Sequence, residues 1–112
     1  MATDDQTQAR IDRFKAMVAQ FPQSEVPRFS LAQAYMEAGQ LEEAAQTFTE
    51  VTDIKADFMM AWVLRTRALI GLERFEDALP ICQHALQLAI DQDHQDPKID
   101  CELMLEEIQE EI

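Results

Sequence analysis

A displacement of about 34 residues lays this chain onto itself with like meeting like, and no other feature restricts its fold so tightly. Ala34 falls on Ala68, Tyr35 on Leu69, Leu41 on Phe75 and Ala44 on Ala78. A second register runs three deep: Phe14 with Phe48 and Cys82, Met17 with Val51 and Ala85, Gln20 with Ile54 and Leu88. A period of this length marks a repeated supersecondary unit that must stack on its neighbours to bury its apolar side.

Within each unit the apolar residues recur three or four apart, as in Leu31, Ala34, Tyr35 and then Leu41, Ala44, Ala45, Phe48, Val51, which is helical spacing. Each unit therefore reads as two helices. The first break falls at Ala38-Gly39-Gln40, where glycine can adopt the left-handed conformation that ends a helix. The second falls at Leu72-Glu73-Arg74, which lacks that glycine because Gly71 comes two positions earlier. Ser24, Asp57 and Asp96, the last ahead of Pro97, are plausible N-caps and place helix starts near 25, 58 and 97. Composition agrees: with two glycines, four prolines and 47% apolar residues, the chain is rich in good helix formers and able to build one core. Small residues at Ala32, Ala44 and Ala78 allow close helix approach, while Tyr35, Phe48, Trp62 and Phe75 fill the space between.

Twenty-two acidic against nine basic side chains give a net charge of -13. That field repels phosphate backbones and anionic membrane surfaces, which argues against nucleic acid and membranes as partners. It fits either a solubilising surface, as in a high-salt cytoplasm, or an acidic docking face. The start, Met1-Ala2-Thr3-Asp4-Asp5-Gln6, lacks the basic and apolar regions of an export signal, and no apolar run reaches the roughly 18 residues of a membrane span. Cys82 and Cys101 lie in helical apolar patterns and read as small buried hydrophobes in a reducing cytoplasm, although sequence leaves their pairing open.

On these residues the chain resembles the tetratricopeptide repeat family, whose pattern runs Trp, Leu-Gly, Tyr, Ala, aromatic, Ala, Pro. The unit at 25–58 matches at Leu31-Ala32, Tyr35, Gly39, Leu41, Ala44, Phe48 and Val51, with Arg28 where Trp is usual and Ala56 where Pro is usual. The unit at 59–92 matches at Trp62, Ala68, Leu69, Phe75, Ala78, Ala85 and Leu88, with Arg65-Thr66 replacing Leu-Gly and Cys82 replacing the aromatic. Residues 6–22, with Phe14, Met17 and Phe21-Pro22, match only a second helix and read as a half repeat. Residues 97–112 carry an apolar stripe at Cys101, Met104, Leu105, Ile108 and Ile112 and read as a capping helix. The stretch from Leu88 to Pro97 is longer than the repeat requires, so either the preceding helix is extended or a loop intervenes. The resemblance implies one domain over 1–112: an all-α, right-handed α-solenoid of antiparallel helix pairs.

The resemblance also implies where binding occurs, because in this family the first helices of successive units line a concave surface. Its lining falls on Val26, Phe29, Gln33 and Met36, then on Met60, Val63, Arg67 and Ile70, with Phe58 at the edge. Such a face suits an apolar peptide or amphipathic helix, with Arg67 free to pair one carboxylate, unless the C-terminal helix or a second copy covers part of it. Family members that hold the acidic tails of heat-shock chaperones use Lys and Asn where this chain has Phe29, Gln33 and Leu64, so that mode is not expected.

No catalytic constellation emerges. Cys82, His84, Cys101 and His94 lack the spacing of a zinc site. Asp91, Asp93 and Asp96 lack the glycine and terminal glutamate of a calcium loop. Glu42-Glu43 and Glu106-Glu107 have no pocket to drive their pKa values apart, and neither a phosphate loop nor a nucleophile motif is present. The expectation is a cytoplasmic protein-binding adaptor or scaffold without metal or cofactor. Two alternatives remain open: a self-assembling module, a homodimer for instance, pairing through 6–22 or 97–112, and a small chaperone for secreted proteins.

Overall fold

The computed structural model describes residues 4–112; Met1–Thr3, part of the N-terminal stretch read for export signals, lie outside the described residues. Among the described residues six helices follow one another: α1 (Asp5–Gln20), α2 (Glu25–Glu37), α3 (Leu41–Ile54), α4 (Met59–Gly71), α5 (Phe75–Asp91) and α6 (Gln95–Glu111). Short turns force each helix back along its predecessor, so consecutive helices pack throughout, and α6 also touches α4. The result is an all-α helical repeat, drawn out to 37 × 31 × 21 Å. Its 14.2 Å radius of gyration exceeds the roughly 13 Å of a compact domain of similar length, as stacking in one direction requires.

The turns after α2, α4 and α5 share one construction. Gly39 N–H donates to the Met36 carbonyl and Gln40 N–H to the Tyr35 carbonyl. Glu73 and Arg74 repeat the pair onto Ile70 and Leu69, and Asp93 and His94 repeat it onto Ile90 and Ala89. This is the Schellman closure, which satisfies the last carbonyls of a helix through a residue in the left-handed conformation. Gly39 takes that role at φ 76°, but Glu73 and Asp93 take it at 58° and 56° and carry a Cβ penalty there.

Helix starts are capped less uniformly. Asp4 accepts from Thr7 N–H at 2.7 Å, which holds its carboxyl below the usual range, and Ser24 accepts from Val26 N–H at 3.3 Å. Asp57 and Asp96 are not caps. The α4 cap position is Phe58, without a side-chain hydrogen bond, and Asp57 instead pairs with Lys55 at 3.3 Å. The α6 cap position is His94, so this helix starts at Gln95 and Asp96 lies in its first turn, where a carboxylate favours the helix dipole. The long stretch after Leu88 resolves as the extended helix: α5 runs 17 residues to Asp91.

Ala32, Ala44 and Ala78 are fully buried, and so is Phe48, the largest side chain sealed in the core. Ile11 of α1, 1% exposed, anchors the first helix, while Phe14 is only half-buried and Met17 faces solvent. On α6, Cys101, Met104 and Ile108 are buried and Leu105 is half-buried, but Ile112 is exposed. The buried hydroxyls of Thr47, Thr52 and Thr66 donate to carbonyls three or four residues back, so they cost the core little.

Two residues at the same repeat position, Arg28 and Trp62, make the same bond by different chemistry. Arg28 Nη1 donates to the Pro22 carbonyl and Trp62 Nε1 to the Ala56 carbonyl at 2.8 Å, each tying a helix to the turn before it. Arg28 also reaches Glu50 of α3 at 3.2 Å. This explains why a cation is tolerated where the motif prefers tryptophan.

Candidate functional site

Of the residues expected to line the leading-helix face, all but Val63 and Arg67 divide into three groups. Val26, 61% exposed, and Met60, 36% exposed, present apolar side chains to solvent at equivalent positions near the starts of α2 and α4. Gln33, Met36 and Ile70 are half-buried, with Met36 and Ile70 leaning on the core. Phe29 and Phe58 are also half-buried but serve packing: their rings stack at 4.6 Å, and Phe29 meets Phe48 edge-on at 5.8 Å. This aromatic chain joins α2 to α3 and to the start of α4.

Val63 is a correction. It is 1% exposed and belongs to the core, so it cannot touch a partner in this structure. α4 buries Met59, Ala61, Val63, Thr66, Ala68 and Leu69, a wider arc than one stripe, because it contacts α3, α5 and α6 together.

Arg67 remains at the surface, but its guanidinium is engaged: Nη2 lies 3.2 Å from Asp100 Oδ2 of α6. The sixth helix thus packs beside α4 and takes up the cation that sequence reading reserved for a ligand. It also adds apolar surface of its own. Ile99 and Leu103 are 51% and 59% exposed, one turn apart on α6. Neither belongs to the single stripe of Cys101, Met104, Leu105, Ile108 and Ile112 that marks this helix in the sequence. The signal was present in Ile99 and Leu103 falling off that stripe at a spacing of four.

Among the described residues, no three His, Cys, Asp or Glu side chains come together as a metal site would need. His84 packs against Trp62 in a tilted arrangement, with ring centroids 4.1 Å apart and planes at 53°, and Arg65 lies over the same indole at 5.2 Å. Cys82 and Cys101 are free and fully buried, with Cys82 Sγ 3.4 Å from the Cys101 carbonyl. Burial, aided by the neighbouring thiol, pushes the Cys82 pKa up to about 11, and burial raises Cys101 as well. Both are thus held as protonated packing groups rather than nucleophiles. Glu42 forms a two-point ion pair with Arg74, the closer contact at 2.8 Å, bridging α3 to the turn before α5. Arg10 of α1 similarly pairs with Glu37 of α2. The scarce cations join helices. Among the described residues, no helix is long and apolar enough to cross a membrane.

Comparison with known proteins agrees with this geometry. The TPR2B domain of yeast Sti1, solved in its pHsp70 complex, superposes with a TM-score of 0.83 over 91% of this chain and 82% of that one, at 13% identity. At such low identity the likeness concerns the fold. No curated protein sequence matches the chain. A tetratricopeptide repeat family model matches residues 3–68, more than half of the sequence. The helix pairs, their shared turns and that match together place the chain in the tetratricopeptide repeat family.

Proposed function

We propose that this protein is an adaptor that binds an apolar peptide or an amphipathic helix from a protein partner along the leading-helix face of α2 and α4. The observation that carries the reading is the exposure of Val26 and Met60 at matching positions of successive units. Each leaves apolar area in water, and covering it is worth roughly 25 cal/mol per Å2. Methionine's flexible thioether adapts to partners of different shape. The Sti1 domain is solved in its pHsp70 complex, so a structure of this kind can engage a protein partner. Phe29, Gln33 and Leu64 offer no cation to a terminal carboxylate, which separates this face from the tail-binding mode.

Met60→Glu is the discriminating variant. Phe29→Glu would break the stack on Phe58 and confuse folding with binding, whereas Met60 already meets solvent. Proteins captured on the immobilised wild-type chain from its native cell extract should be depleted at least about tenfold on Met60→Glu, with the helical circular dichroism retained. Undiminished capture by a folded Met60→Glu chain would refute the assignment.

A further inference from the structure

We propose that α6 carries a docking ridge for a cationic amphipathic helix, with Ile99 and Leu103 as the apolar anchor and the surrounding carboxylates as the charge partner. The inference rests on the adaptor reading above and names the chemistry of the partner.

Ile99 and Leu103 stand on one face of α6 at a spacing of four, more than half exposed, while Cys101, Met104 and Ile108 on the other face are sealed against α5 and α4. The exposed pair continues the leading-helix row: Met104 is buried on α6 as Ala68 is on α4, which sets Leu103 where Arg67 stands and Ile99 where Val63 is covered by its neighbours, a position that α6 leaves open. The Arg67–Asp100 bridge holds the two helices side by side, so the ridge is an extension of the same face.

Charge selects the occupant. Acidic residues on α6 outnumber basic ones seven to one, and Asp100 alone among those acids is ion-paired within the described residues. Asp96 and Glu102 flank the anchor, and Glu106 and Glu107 follow one turn on. A wholly apolar peptide laid here would strip water from carboxylates without replacing it, an uncompensated cost. A second copy of the chain brings another net charge of -13 and is repelled. A helix with leucine-like residues on one face and Lys or Arg beside them meets both demands: it covers Ile99 and Leu103 and pairs the rim.

The test uses the full chain and a fluorescent synthetic helix of about 18 residues, leucine on one face and lysine beside it. Two comparison peptides replace every lysine by glutamate, or every leucine by serine. Anisotropy should show binding of the first peptide alone, weakened at least about tenfold by Leu103→Gln and by raising salt from roughly 50 to 300 mM. Ile90→Gln, at an exposed apolar residue of α5, should leave it unchanged. Equal binding of the serine peptide would reduce the ridge to a bare charge effect and overturn the proposal, as would indifference to Leu103→Gln in a folded chain. Loss of binding on Met60→Glu with Leu103→Gln silent would keep the adaptor reading and sink this one. No peptide binding, with a dimer in light scattering that Leu103→Gln dissolves, would hand the ridge to a second copy and also overturn it.

Discussion

Glu73 occupies the left-handed position of a Schellman closure that its counterpart Gly39 fills without strain, so Glu73→Gly should stabilise the protein. The left-handed region costs a residue with a Cβ roughly 1–2 kcal/mol. Glycine gives back about 0.4–1 kcal/mol through the greater freedom of the unfolded chain. The balance is a gain of about 0.5–1 kcal/mol. Glu73 is exposed and in no ion pair among the described residues, so no contact is lost with it. For a domain of this size the gain corresponds to a rise in Tm of about 2–6 °C. Thermal unfolding followed at 222 nm reads it directly. Removing one carboxylate from so acidic a chain also relieves repulsion, and Glu73→Gln isolates that part because it keeps the Cβ. The reverse substitution completes the argument: a Cβ at Gly39 would meet nothing within 4 Å, so Gly39→Ala pays only the backbone strain and should lower stability by a similar amount. A Glu73→Gly chain no more stable than Glu73→Gln would refute the account of the turn.

Two further outcomes follow from the core. Phe48→Ala should cost about 3–5 kcal/mol, because the ring is fully buried and Phe29 would lose its edge-on partner; urea unfolding measures this as a large fall in midpoint. Cys82 should resist a thiol reagent until the protein unfolds. Its pKa is raised from 9.0 to about 11 on folding, so the folded chain keeps its proton where the unfolded chain releases it. That contribution to stability is therefore full below pH 9 and fades as pH rises toward 11, and Cys82→Ala should flatten the alkaline decline.

The repeat was legible because its cause is local. Helical spacing of apolar residues and the recurrence of Ala34 at Ala68, Ala44 at Ala78 and Phe14 at Phe48 depend on the backbone period and on volume, both written in residue order. The break at Gly39 followed from glycine's conformational freedom. Helix starts at Asp57 and Asp96 were misplaced because capping is decided by backbone direction at the end of a turn. Phe58 and His94 hold those positions although neither side chain caps.

What sequence determined by itself is the set of six amphipathic helices and the order in which they fold back, since those depend on near neighbours. What only the tertiary structure decided is which side of each helix faces solvent. Val63 disappeared because three neighbours press on α4, Arg67 was claimed by an aspartate 33 positions away, and Ile99 and Leu103 were left uncovered. Periodicity marks an apolar stripe, but whether a second stripe is buried or exposed depends on how many elements surround the helix, which is a property of the packed chain.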